Sequence, residues 1–159
     1  EVLALTGEPH AASATLSAGA EHGVRSGAAV VPSDGLVGRI GEVYRSHSRV
    51  VLLTDQNAAV ACEVESTGVL GVLRFAPAPH PRLVLTLVPF ADTVYVGQRI
   101  LTSGLSRRYP RGIPVGRVVR LGTAEGGLTQ EIEVAPAARL TRLRHVFVIP
   151  GPADARVTP

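Results

Sequence analysis

Short apolar runs that alternate with polar residues, broken by proline or glycine at intervals near ten residues, fill most of this 159-residue chain. Alternation of period two puts one face of each run in a core and the other in water, as a strand requires. The i, i+3, i+4 spacing of an amphipathic helix is almost absent. The chain has 17 glycines and 12 prolines, 29 residues together, well above the roughly 12% of average chains, and they follow no repeat period. The pattern predicts strands over 36–44, 49–54, 68–75, 82–88, 93–96, 99–103, 115–121, 129–134 and 145–149. In "AVACEVE", Val60, Cys62 and Val64 alternate with Ala61, Glu63 and Glu65. The turns "PSDG", "TDQN", "APAPHP" and "GTAEGG" separate these runs. Many short strands so spaced imply an all-β sandwich or barrel. Helix is expected at most over 136–143, where Pro136 suits a first turn and Leu140 and Leu143 stand three apart.

The proline-rich stretch 76–82 is the clearest break in composition and predicts two subdomains, 1–75 and 76–150, with strands able to exchange between them. A tail over 151–159 has no apolar face and is expected to fray. The chain starts at Glu1 and has no methionine, which predicts a longer precursor upstream. No run reaches the roughly 18 apolar residues of a membrane span, so any membrane anchor is expected to lie in that upstream part.

Charge excludes one large class of function. Sixteen cationic residues face 13 acidic ones, for a formal charge of +3, and only the arginines near 107–111 and 139–144 are dense enough to form patches. Phosphate backbones usually recruit more than this, and three Phe, three Tyr and no Trp offer little surface for stacking bases. Nucleic-acid binding is therefore not expected.

The residues that carry chemistry are scattered. Five histidines, at 10, 22, 47, 80 and 145, include no pair at i, i+3 or i, i+4, and the single cysteine, Cys62, reads as a small buried hydrophobe. No glycine loop stands at a strand-to-helix junction to cradle phosphate. Neither a metal nor a cofactor is expected. A nucleophilic triad could be assembled from Ser103, His47 and Asp55, although a barrel of this length offers many Ser, His and Asp combinations. No nucleophile-elbow signature surrounds Ser103, and all three read more simply as turn residues that satisfy loop amides.

The segment 102–118, "TSGLSRRYPRGIPVGRV", concentrates the remaining signal. Thr102, Ser103, Gly104, Pro110, Gly112, Ile113, Pro114 and Gly116 form its framework, in which Gly104, Gly112 and Gly116 are expected to take positive φ and the prolines to fix the turns. Leu105, Arg107, Arg108, Tyr109 and Arg111 are expected to project as partner-binding residues, since arginine and aromatic side chains are common interface anchors.

Five stretches, "GVRSGAAVVPSDGLVGRIGEV" (23–43), "SRVVLLTDQNAAV" (48–60), "VGQRILTSG" (96–104), "PRGIPVGRV" (110–118) and "VAPAARLTRLRHVFVI" (134–149), occur in an order that resembles the MreC family of rod shape-determining proteins, in their extracytoplasmic region. The T-S-G and P-x-G-I-P-V-G motifs are the most specific, and the resemblance covers about nine-tenths of the chain. Departures fall at Gln98, where the family often has aspartate, and at Arg74, where glycine is common. The resemblance implies two small β-barrels with short turns and little helix, held in the periplasm by an N-terminal inner-membrane anchor. It also implies a non-catalytic scaffold of the cell-elongation complex that self-associates and contacts the elongation-specific penicillin-binding transpeptidase, MreD and other rod-complex proteins. Taken alone, the residues leave two rivals open, a barrel-fold serine hydrolase and a module that binds peptidoglycan or a small ligand.

Overall fold

The computed structural model describes residues 2–6, 13–32, 34–105, 109–124, 126–138 and 146–149. Twelve strands account for nearly all of its regular structure: β1 (Val2–Thr6), β2 (Ser13–Leu16), β3 (Ala29–Val31), β4 (Gly38–Val43), β5 (Ser48–Leu52), β6 (Ala59–Val64), β7 (Leu70–Ala76), β8 (Arg82–Pro89), β9 (Arg99–Thr102), β10 (Pro114–Thr123), β11 (Thr129–Pro136) and β12 (Phe147–Ile149). One turn of 3-10 helix, Ala20–His22, follows β2. The all-β expectation holds.

The strands divide into two antiparallel sheets. The first has the order β1-β2-β5-β4-β3-β12, and the second is a closed barrel of order β10-β11-β8-β7-β6-β9. Of the two barrels expected, one closes and the other is an open sheet ending in β1 and β12. Closure removes the unpaired edges that invite aggregation, and a six-strand barrel is narrow enough for side chains to fill. Cys62, Leu73, Leu85, Ile100, Val115 and Ile132 occupy its buried positions, and Leu36, Val37, Ile40 and Leu52 of the first sheet belong to the same continuous core.

The sheet boundary falls between β5 and β6, whereas the sequence suggested 75/76. A division there would pass between β7 and β8, which pair from Val72↔Thr86 to Ala76↔Arg82. The proline-rich 76–82 stretch is thus mostly the connection of one barrel hairpin, because its turn residues reverse the chain locally instead of carrying it to a new unit. Strand β12, which follows the barrel strands in sequence, pairs with β3 of the first sheet through Phe147↔Val31 and Ile149↔Ala29. Thr93–Val96, expected as a strand, is a loop that crosses the end of the barrel. Pro136 closes β11 instead of opening a helix, and 139–143 lies outside the described residues, as do 151–159.

Candidate functional site

The β9–β10 connection, residues 103–113, is built around Thr102. This side chain is fully buried, and its hydroxyl donates to the Pro110 carbonyl at 2.6 Å and accepts the Ile113 N–H at 2.9 Å. The Thr102 main chain repeats the clasp: its N–H donates to Ile113 O, and its carbonyl accepts the Gly112 N–H, both at 2.9 Å. Both limbs of the loop are therefore fixed to one residue, which satisfies backbone groups that would otherwise be costly to bury. Ser103 continues the anchoring, since its N–H donates to Ala61 O at 3.0 Å and its hydroxyl accepts the Leu105 N–H at 3.3 Å.

Two of the three framework glycines have the expected conformation, with φ of 77° at Gly104 and 91° at Gly112. Gly116 does not. It lies in β10 with ordinary strand geometry, and glycine is needed there because a Cβ would stand 2.2 Å from the Ala135 carbonyl oxygen. The close approach of β10 and β11, rather than a positive φ, fixes this position.

The residues expected to grip a partner separate into different roles. Leu105 is 66% exposed and faces solvent. Tyr109 is only 2% exposed and belongs to the core cluster, which corrects its assignment as a surface anchor: its ring packs the root of the loop. Arg111 is exposed but already engaged. Its Nε donates to Glu63 Oε1 at 2.8 Å and its Nη2 to Oε2 at 3.3 Å, in the fork geometry that carboxylates favour. That hydrogen bond, with the coulombic attraction behind it, raises the Arg111 pKa above its ordinary value. Glu63 is 7% exposed and sits on β6 beside the barrel interior, so Arg111 serves as its counter-ion and ties the loop to the barrel wall. Arg107 and Arg108 lie outside the described residues. Sequence reading placed Glu63 on the outer face but missed its partner, because 48 residues separate the two and nothing local links them.

The members of the triad-like set are each occupied on their own loops. Ser103 Oγ serves Leu105, the Asp55 carboxylate accepts the Asn57 N–H at 2.7 Å, and the His47 ring stacks on Tyr44 with centroids 4.6 Å apart. Cys62 is fully buried, and burial pushes its thiol up to about 12. Among the described residues no group of three His, Cys, Asp or Glu side chains is placed to hold a metal ion. A groove of about 230 Å³ on the outer barrel face is lined by His80, Arg82, Arg120, Glu131 and Glu133 among others. It is smaller and far more charged than the apolar pockets that usually bury small ligands.

Exposed apolar side chains gather at the barrel end opposite the first sheet, on Leu87, Phe90, Tyr95, Val96 and Leu128. The alternation of "TVYV" hid Tyr95 and Val96 as presumed strand residues.

Residues 2–150 match the family model described as rod shape-determining protein MreC, barrel core. Cell shape-determining protein MreC of Cereibacter sphaeroides is 36% identical over 148 residues, 93% of this chain and 47% of that protein; the chain spans about half the length of the curated relatives it matches first. The crystal structure of MreC from Pseudomonas aeruginosa superposes with a TM-score of 0.85 at 28% identity, covering 94% of this chain and 96% of that one. The fold is shared also with a chain of the complex between penicillin-binding protein (PBP2) and MreC from Helicobacter pylori, with a TM-score of 0.75 at 18% identity and 92% of each chain covered. With its closed barrel, its T-S-G clasp and a family match running almost end to end, the chain belongs to the MreC family of rod shape-determining proteins.

Proposed function

We propose that the chain is a non-catalytic scaffold of the bacterial cell-elongation complex, working in the periplasm while the full-length protein is held to the inner membrane. In this role it self-associates, and it holds the elongation-specific penicillin-binding transpeptidase, MreD and other rod-complex proteins in register for lateral peptidoglycan synthesis. The observation that carries the reading is the β9–β10 loop. Its root is clasped by Thr102, by the buried Tyr109 ring and by the Arg111–Glu63 fork, and it presents Leu105 to solvent. A surface held this way loses little conformational entropy on binding, which favours affinity from few contacts. That the solved structures include a complex between a penicillin-binding protein and MreC from Helicobacter pylori supports the choice of transpeptidase as partner.

Calorimetric titration of the purified chain with the periplasmic part of its cognate elongation transpeptidase tests the reading. Saturable binding is expected. Leu105→Asp and Arg108→Glu should each weaken it at least tenfold, about 1.4 kcal/mol, with no change in the thermal midpoint. Unaltered affinity in both variants would remove the loop from the interface, and no binding by the folded chain would remove the transpeptidase from its direct partners.

A further inference from the structure

On the outer wall of the barrel, antiparallel register lines up Val84 of β8, Glu133 of β11 and Arg120 of β10 in one row, through Glu133↔Val84 and Arg120↔Glu133. Glu131 stands two residues from Glu133, about 7 Å along the strand, and opposite Gly122. With Arg82, and with His80 of the β7–β8 connection, these residues enclose the groove of about 230 Å³. Val84, only 4% exposed, gives it an apolar floor, and Gly122 leaves one end open because it has no side chain. The β10–β11 register shifts between Val118 and Arg120, and the β11–β8 register between Gln130 and Ile132. A bulge therefore adjoins the groove on both sides, and bulges re-aim side chains where sheets carry sites.

The charges around this floor alternate in sign and leave bonding capacity unused. His80 Nε2 lies 3.6 Å from Glu133 Oε1, and Arg82 Nη2 lies 4.0 Å from Glu131 Oε2, both beyond hydrogen-bond length. Arg82 is committed elsewhere: its Nη1 donates to the Ala78 and His80 carbonyls at 2.7 and 3.2 Å and braces the hairpin. Among the described residues none donates a hydrogen bond to either carboxylate, and none pairs with the exposed Arg120 guanidinium. Arg74, paired with Val84 from β7, is a further exposed cation just outside the groove.

A ligand of one sign is poorly matched here. An inorganic anion would meet Arg120 but face two carboxylates, and an organic cation would meet the carboxylates but face the arginines, a juxtaposition of like charges that opposes binding. A metal ion is not favoured either, since among the described residues no three acidic or histidine side chains converge. A molecule that carries an ammonium and a carboxylate a few ångströms apart satisfies both signs at once. Its ammonium fits between Glu131 and Glu133, its carboxylate accepts the two-pronged contact that a guanidinium offers, and the carbon between them lies over Val84. The volume is below the roughly 300 Å³ at which pockets for drug-sized ligands begin, which suits a ligand of one or two amino-acid residues.

We propose that the groove across β8, β11 and β10 binds a zwitterionic amino acid or short peptide, with the ammonium between Glu131 and Glu133 and the carboxylate on Arg120. None of these residues belongs to the β9–β10 loop, so the site stands apart from the partner contact in the functional reading above. Titration of the isotopically labelled chain with L-alanyl-L-alanine, followed through its backbone amide resonances, tests this. Saturable shifts are expected at His80, Val84, Arg120 to Thr123 and Glu131 to Glu133. Arg120→Ala and Glu133→Gln should each weaken binding at least tenfold with an unchanged thermal midpoint, whereas Leu105→Asp should leave it intact. N-acetyl-alanylalanine, which lacks the ammonium, and alanylalanine amide, which lacks the carboxylate, should each bind at least tenfold more weakly. Saturation by alanine as tightly as by the dipeptide would support a free amino acid as the ligand, and tighter binding of the dipeptide would support a peptide. Absence of saturable shifts up to the solubility of the dipeptide, equal binding of the blocked peptides, or indifference to both groove substitutions would overturn the proposal. Saturation of the same amides by inorganic phosphate at lower concentration would overturn it in favour of an anion site.

Discussion

Thr102 shows how much structure a single hydroxyl can organise. Its oxygen serves a carbonyl eight residues ahead and an amide eleven residues ahead, and it is completely shielded from water. Valine has nearly the same shape but neither donates nor accepts, so Thr102→Val would leave the Pro110 carbonyl and the Ile113 amide without that partner. The expected loss is about 2 kcal/mol, the range for buried polar groups stripped of a partner, and Thr102→Ser, which keeps the hydroxyl, should recover most of it. Urea denaturation checks this, and equal midpoints for wild type and the valine variant would show that water replaces the hydroxyl. The sequence made the T-S-G motif visible but not its purpose. Tyr109 illustrates the reverse error. An aromatic flanked by arginines in a turn-dense segment reads as an exposed anchor, yet burying a ring of this size is among the largest apolar gains open to a loop, and that gain places it in the core.

At the scale of elements, the strands were legible wherever one face is buried and the other wet. Strands β4, β5 and β7 to β11 follow their expected ranges to within a few residues, because period two survives in Ser48 to Leu52, in Arg99 to Thr102 and in Glu131 to Ala135. Strands β2 and β3 escaped because runs of three or four residues are too short to display a period. "TVYV" misled because alternation also arises where a loop buries Val94 and exposes its neighbours. The loop's dependence on β6 could not be read at all, since the Arg111–Glu63 fork joins elements far apart in sequence. That fork predicts a local effect. Arg111→Ala should speed amide exchange at Leu105 and Gly112 at least tenfold while leaving β8 and β11 unchanged, because the loop alone loses a tie. Arg111→Lys should recover little of the protection, a single ammonium being unable to reproduce the two-pronged contact. Exchange rates that match the wild type would mean that the Thr102 clasp holds the loop by itself.

At the scale of the whole molecule, the question is whether the open sheet and the barrel are two domains or one folding unit. The residues that flank β4 reach the barrel through the Leu36 N–H, bonded to Pro114 O, the end of β5 leads directly into β6, and β12 returns to the first sheet after the barrel is complete. The buried side chains of both sheets form one cluster. Strands β1 and β12 share one sheet while the strands of the closed barrel lie between them in sequence, so completing that sheet requires long-range closure, which couples the two. One cooperative transition is therefore expected, despite an architecture that looks divisible. Gly35 offers the place to test it, since a Cβ there would stand 2.8 Å from the Ala137 Cβ and 2.9 Å from the Pro114 carbonyl oxygen, wedging the two sheets apart without entering either. Gly35→Val should lower the unfolding midpoint by several degrees, the shift that a loss of 1–3 kcal/mol from overpacking produces. Tyr44 in the first sheet and Tyr95 at the far end of the barrel should still report coincident transitions, with calorimetric and van't Hoff enthalpies in agreement. If Tyr44 melted first while Tyr95 kept its wild-type midpoint, the sheets would be separate domains, and the shared core would contribute packing without cooperativity.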